Sequence, residues 1–339
     1  MGKLRSYILR NFTISFFSIF LPLFAIASVI FLIKLATYTA VVQLTIMDMS
    51  KLYLFVLPEI LFYTLPVSFF ISATLSLYKL SNDDEMVVIF ALGIKPAFIY
   101  RTFLTPALIL TTLLSFNFFV MFPHATVLST NFLIHKKSEA KFNIGASEYG
   151  HKFGNWLLFI GKDDNKKSFE DILLFNKDAT KEMIIASKKG KVFNDNGELK
   201  FRLYDGNGYS YADEELTKIN FEQMQINDMM RSNLRQYRDT LDFWLSKERR
   251  DNKIKMFITD TLLSLFPVIS IFMIMALGVL HVRHKKNYIY GYLFLTILFY
   301  YGATLGLQGV LSFYTIPAVL FSSLLISYIF YKKNVLKRF

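Results

Sequence analysis

Apolar runs too long for the core of a small globular domain dominate this sequence, and the first of them sets the terms. From Phe12 to Ile33 no residue is charged. As a helix this run rises about 33 Å, enough to cross a hydrocarbon layer of about 30 Å. In that layer every backbone N–H and C=O must be satisfied within the protein, which forces a helix. Similar runs cover about Leu52–Tyr78, Ala97–Phe122, Met256–Leu280, Tyr288–Leu307 and Val310–Tyr331. Six spans are predicted. Composition agrees: 53% of residues are hydrophobic, 36 are Phe and only 19% are charged, the profile of a membrane protein. No cleavable signal peptide is expected, because the first run is too long for one and has no clear cleavage site behind it.

The net charge of +12 invites a nucleic-acid reading, but its distribution points elsewhere. The short segments beside the spans on one side carry 13 Lys and Arg against 3 acids. Residues 124–255 are nearly balanced, with 23 basic and 20 acidic residues. Excess positive charge beside the spans on one face is the positive-inside pattern, which places that face and both termini in the cytoplasm. No cysteine is present, which excludes disulfides and thiolate metal sites.

Three ionisable residues interrupt the runs. Lys34 follows the first span, about 36 Å along the helix from Arg10, near the far edge of the hydrocarbon. A lysine there either snorkels to the interface or meets an anionic head group. Glu59 lies near the outer end of the second span, beside Pro58, with Pro66 further along. Two prolines predict a kinked helix held by neighbours. Asp260 sits near the outer end of the fourth span, and no acid follows it. A basic cluster, His135 to Lys137, lies outside the third span.

Between the third and fourth spans the pattern changes. Short runs of aromatic and β-branched residues are broken by DDNKK at 163–167, NKDATK at 176–181, NDNG at 194–197 and DGNG at 205–208. The spacing predicts about seven strands, near 142–149, 156–161, 171–175, 182–187, 199–204, 209–211 and 219–226, in a β-sandwich or jelly roll. Alternation puts Trp156, Leu158 and Ile160 on one face and Leu157 and Phe159 on the other, without saying which is inside. A charged helix is expected over 233–255.

One polar island, SNDDEMVVIFALGIKP at 81–96, separates the second and third spans. Ser81, Asn82 or Asp83 is placed to cap a helix start, and Gly93 with Pro96 to end it. A cytoplasmic helix of about three turns is expected between them, with Met86, Val87, Ile89, Phe90 and Ile94 at helical spacing. Such a helix either lies at the membrane surface or fills a partner's groove.

Several chemistries are missing from the sequence. No phosphate-binding glycine loop is present, so nucleotide hydrolysis is not expected of this chain. His281 and His284 have no acid or third ligand beside them, so no metal site is expected. No nucleophile and base converge on one membrane face, so no enzyme is expected.

The six spans, the β region after the third, and the island after the second together resemble the LptF/LptG family of lipopolysaccharide export permeases. The residues that carry the resemblance are Pro58-Glu59 with Leu65-Pro66, the acidic helix ending in Ala91-Leu92-Gly93-Ile94, and the segments NWLLFIGKD, EDILLFN, IIASKKG and LKFRLYDGNG. The Pro58-Glu59 element looks more like the LptF branch.

The resemblance implies a non-ATPase subunit of an ABC-type exporter in the bacterial inner membrane. Residues 1–138 would be a first membrane half, 139–232 a periplasmic jelly roll inserted between helices 3 and 4, and 233–339 a second membrane half. Segment 82–93 would be the coupling helix. Asp83, Asp84, Glu85, Met86, Ile89, Phe90 and Gly93 would then meet a dimer of the cytoplasmic ATPase LptB, with Glu85 at the family's acidic docking position. Lys34, and less directly Lys136 and Lys137, would meet the phosphorylated sugars of lipopolysaccharide. The implied partners are a paralogous LptG-like permease and LptC-like and LptA-like jelly-roll proteins, joined by β-augmentation. ATP would be bound by the separate ATPase; no cofactor, metal or nucleic acid is implied for this chain. An alternative of the same architecture is a subunit that transmits force to its outer domain and moves no lipid.

Overall fold

The computed structural model describes residues 2–39, 44–141, 147–153, 156–163, 168–177, 181–195, 198–212, 215–226, 240–245, 250–279 and 288–336. The chain divides into two compact units. One comprises Met1–Ala36, Met49–Val127 and Tyr237–Phe339; the other comprises Thr37–Asp48 and Leu128–Gln236.

The first unit is helical. Its elements are α1 (Gly2–Thr39), α2 (Ile46–Asn82), α3 (Glu85–Ala91), α4 (Pro96–Phe116), a π-helical turn (Asn117–Met121), the start of α5 (Phe122–Lys141), α6 (Thr240–Leu245), α7 (Arg250–Ile269), α8 (Ile271–Gly278), α9 (Ile289–Leu311) and α10 (Thr315–Tyr331). Among the described residues four stretches are long and apolar enough to cross a membrane: Gly2–Thr37, Ile46–Asn82, Pro96–Ile134 and Ile289–Leu336. A fifth appears if α7 and α8, bent by 46° after Pro267, count as one broken span. The expected charged helix over 233–255 is described only as α6 and the start of α7, with 233–239 and 246–249 outside the described residues.

The many phenylalanines build the core of this unit. Phe12 meets Phe69 and Phe103 edge-on, with ring centroids 5.4 and 5.6 Å apart. Phe118 packs on Trp244 at 4.9 Å and on Phe257 at 5.7 Å. Without a hydrophobic driving force between helices in lipid, such packing and interhelical hydrogen bonds hold a bundle together. Tyr300 Oη donates to the Leu262 carbonyl at 2.7 Å, tying α9 to α7. Asn117 Nδ2 donates to the Pro58 carbonyl at 2.9 Å, tying the π-helical turn to the proline-containing stretch of α2.

One expected turn falls elsewhere. The break expected between the spans Tyr288–Leu307 and Val310–Tyr331, around Gly309, is helical, and the chain turns instead at Ser312, which has φ 48° and opens a short 3-10 segment. α2 begins with a reciprocal cap: the Thr45 N–H donates to Asp48 Oδ2, and the Asp48 N–H to Thr45 Oγ1, both at 3.2 Å. Two orphan donors of the first turn are satisfied this way.

In the second unit six strands form one antiparallel sheet in chain order: β1 (Ser147–Phe153), β2 (Trp156–Asp163), β3 (Ser168–Lys177), β4 (Lys181–Asp195), β5 (Glu198–Ala212) and β6 (Glu215–Ile226). The expected strand at 142–149 is described only from Ser147. The two strands expected at 199–204 and 209–211 are one, because DGNG at 205–208 is not a turn. Asp205 takes φ 50° while the ladder resumes in the same register on both sides, Tyr204 with Lys189 and Gly206 with Ser187.

Asp205 belongs to a row of skipped residues running from β2 to β6. Gly161 and Asp171 are passed over between β2 and β3, Lys188 between β3 and β4, and Glu222 between β5 and β6. Asp171 also has positive φ, 53°. Burial alternation changes phase at this row. On β3, Ile172 and Leu174 are buried after it but Phe169 before it; on β4, Ile185 and Ser187 before it but Gly190 after it. The row folds the sheet over a core of Trp156, Leu158, Ile160, Phe169, Ile172, Leu174, Ile185, Phe201 and Leu203. At Gly190 a Cβ would collide with the Ile172 side chain and press on Leu203 and Phe201. Trp156, Leu158 and Ile160 face this core, and Leu157 faces out.

Candidate functional site

The island at 81–96 is built differently from a freshly capped helix. α2 runs through Ser81 to Asn82. Ser81 is buried and its Oγ donates to the Gly278 carbonyl at the end of α8, at 2.9 Å. The reversal is made by Asp84, left-handed at φ 60°, whose carbonyl accepts the Val88 N–H. Aspartate tolerates this conformation better than most residues, so the acidic run is a hinge between helices and not a cap. α3 has seven residues, two turns where three were expected, because Gly93 closes it at φ 81° with its N–H donating to the Phe90 carbonyl. Pro96 then opens α4 at a position where it displaces no hydrogen bond.

This geometry sorts the island's side chains into two layers. Met86 and Ile89 are buried in the core of the helical unit, and Phe90 and Ile94 pack against it. Asp83, Asp84, Val88, Ala91, Leu92 and Gly93 face out, Val88 58% and Leu92 75% exposed. Glu85 is half-buried, and its carboxylate accepts the Tyr7 hydroxyl of α1 at 3.0 Å to Oε1 and 2.8 Å to Oε2. Sequence reasoning missed Tyr7, since 78 residues separate the pair. It also passed over Val88 and Leu92, which the hydrophobic spacing did not mark as outward.

A second constellation joins three helices of the same unit. Lys34 of α1 is exposed and lies within electrostatic reach of Glu59 on α2. Glu59 in turn acts on Asp260 of α7, and both act on Tyr63. The sequence had left Glu59 and Asp260 without partners; the fold brings them together. Asp260 is almost wholly buried, and its Oδ1 has no hydrogen-bond partner. Ionisable groups inside spans face protein interiors or cavities, where their charge is least costly.

The outer basic cluster divides. Lys136 Nζ lies 3.3 Å from Asp48 Oδ2, so it serves the cap at the start of α2. Lys137 lies in α5, but its side chain is outside the described residues, as is that of His135. His281 and His284 also fall outside them.

A family model described as "Lipopolysaccharide export system permease LptF/LptG" aligns with residues 6–332 of this architecture. The chain belongs to the LptF/LptG family. No curated protein matches it. The LptF/LptG model is common to both branches and spans the helical and β regions alike. LptF/LptG permeases are membrane components of a lipopolysaccharide export system that contains other Lpt proteins, and they are not enzymes. This chain is accordingly a multi-pass inner-membrane permease of that system.

Proposed function

We propose that this LptF/LptG permease is a subunit of an ABC-type exporter that extracts lipopolysaccharide from the inner membrane and passes it to a periplasmic β bridge. The observation that carries the reading is the two-layered turn at 81–96, rooted in the span core by Met86 and Ile89 while presenting Val88, Leu92, Asp83 and Asp84 outward. A segment built this way transmits movement of a docked partner into the spans. The partner is an LptB dimer, and ATP is bound there. Glu85, Phe90 and Gly93 complete the coupling element: the acid as docking charge, Phe90 as packing, and Gly93 as the stop that sets its length.

The topology that fits is six spans with both termini in the cytoplasm. α9 and α10 serve as separate spans on either side of the Ser312 turn. Tyr300 bonding α7 and Asn334 Nδ2 donating to the Ala276 carbonyl at 3.2 Å support that pairing. Residues 1–138 and 233–339 form the two membrane halves, and 139–232 the periplasmic domain. Its folded sheet with an apolar interior supports a jelly-roll role in lipid handover. Because the strands follow chain order, β1 and β6 are the terminal strands, the places for LptC-like or LptA-like neighbours to pair. Pro58-Glu59 supports assignment to the LptF branch, beside an LptG-like paralogue. Lys34 is the cation for phosphorylated sugars; Lys137 is assigned to the same role, with Lys136 shared with Asp48.

Photocrosslinking tests the reading. A photoreactive residue at position 34, or in place of inward Leu158, should trap lipopolysaccharide in cells, and one at outward Leu157 should not. Absence of adducts at 34 and 158, in a protein inserted and bound to its ATPase, would count against lipid passage and favour force transmission.

A further inference from the structure

The contact between Tyr7 and Glu85 joins two parts of the chain 78 residues apart. Tyr7 belongs to the basic start of α1, among Lys3, Arg5 and Arg10. Its hydroxyl reaches both oxygens of Glu85, the first residue of α3. Its neighbours Ile8 and Phe12 are buried in the core that also holds Met86 and Ile89. Arg5 Nη2 donates to Thr105 Oγ1 on α4 at 2.6 Å, which pins the same turn of α1 from another side. Beyond this end, most of α1 is exposed along its length. The cytoplasmic end of α1 is therefore anchored to the island while much of the rest of the helix faces outward.

The choice of a phenol here has a chemical consequence. An arginine or lysine against Glu85 would cancel its charge. A phenol holds the carboxylate by one proton and leaves it ionised, with lone pairs available on both oxygens. A carboxylate in a charge-assisted bond of this kind keeps a set orientation while still offering a full negative charge to an incoming cation.

Resting on the coupling role given to Glu85 above, we propose that Tyr7 is its positioning residue, holding the carboxylate toward a cationic side chain of the docked ATPase. Tyr7 also makes α1 part of the coupling element: a displacement of Glu85 on docking pulls on the start of the first span.

The test uses the complete complex of this permease, its paralogue and the ATPase in lipid nanodiscs, comparing Tyr7→Phe, Glu85→Ala and the double variant. Phe keeps the ring and removes only the hydroxyl. Tyr7→Phe should retain the ATPase but lower lipid released per ATP hydrolysed, by about tenfold if one charge-assisted bond sets the orientation. In the Glu85→Ala background it should have no further effect, because a residue acting through Glu85 is silent without it. If Glu85→Ala uncouples release and Tyr7→Phe behaves as wild type, the positioning role is overturned while the coupling role stands. Additive losses in the double variant would equally overturn it, showing that the Tyr7 hydroxyl acts independently of Glu85. If Glu85→Ala itself changes nothing, the coupling reading fails and takes the positioning role with it.

Discussion

The Ser81 hydroxyl donates 2.9 Å to the carbonyl of Gly278, joining the end of α2 to the end of α8 immediately before the chain enters the exposed turn. Gly278 permits the approach: a Cβ there would stand 2.6 Å from Leu77 Cβ and 3.0 Å from the Thr74 carbonyl. Both residues hold the base from which α3 projects.

Removing the bond and blocking the approach should differ in severity. Ser81→Ala deprives a buried carbonyl of a donor, a loss of roughly 1–3 kcal/mol. Gly278→Val forces α2 and α8 apart and should be worse. Melting temperatures of the purified variants in detergent should fall in that order. Wild-type melting of Gly278→Val would show that the helices separate without cost.

The two layers of the island should separate by phenotype. Leu92→Arg changes a side chain 75% exposed, so melting should be near wild type while co-purification with the ATPase is lost. Met86→Ala removes a fully buried side chain, at a cost of about 2–5 kcal/mol, and should lower the melting temperature. Reversed phenotypes would mean that the partner meets the other face.

The lysines of the outer side should part company. Lys34→Glu should reduce lipopolysaccharide adducts at a photoreactive residue in place of Leu158, with little change in melting. Lys136→Met breaks the 3.3 Å pair with Asp48, leaves a mostly buried carboxylate without its cation, and should chiefly lower stability. Asp48→Asn should do the same, since Asp48 is both the pair and the cap. Strong loss of lipid adducts with unaltered melting in Lys136→Met would return Lys136 to head-group contact.

Asp260→Asn tests the buried acid. The amide keeps the shape and removes an ionisable group that is 2% exposed and whose Oδ1 has no hydrogen-bond partner. A buried ionisable group without such a partner is costly, so the variant should melt at or above the wild-type temperature. A marked fall would mean that the carboxyl has a binding partner which the amide cannot hold.

Spans and β region were legible in the sequence because their signals are local. A run such as Phe12–Ile33 has one physical solution in lipid, and Trp156, Leu158 and Ile160 alternate cleanly. What escaped was set by distant partners or by backbone conformation. Ser81 looks like a helix cap, but its hydroxyl is taken by Gly278, almost two hundred residues away. DGNG reads as a turn by composition, yet the ladders on both sides pass over Asp205 and resume at Gly206 in the register they had at Tyr204. Nothing near Tyr7 points to Glu85, and nothing near Glu59 points to Asp260. At α3 the spacing correctly found Met86 and Ile89 on one face; whether that face belonged to this chain or to a partner depended on whether the spans left room for it.

The row of skipped residues through Gly161, Asp171, Lys188, Asp205 and Glu222 gives the sheet a seam with its own signature in variation. On one side of the seam β3 buries an odd-numbered position, Phe169, and on the other the even-numbered Ile172 and Leu174. β4 and β5 reverse in the same sense, from Ile185 to Gly190 and from Phe201 and Leu203 to Gly208. A strand scanned with charged substitutions would therefore show intolerance at every second residue, a one-residue stutter at the seam, and the opposite parity beyond it. A deletion at the seam in one strand alone would put that strand out of step with all the others.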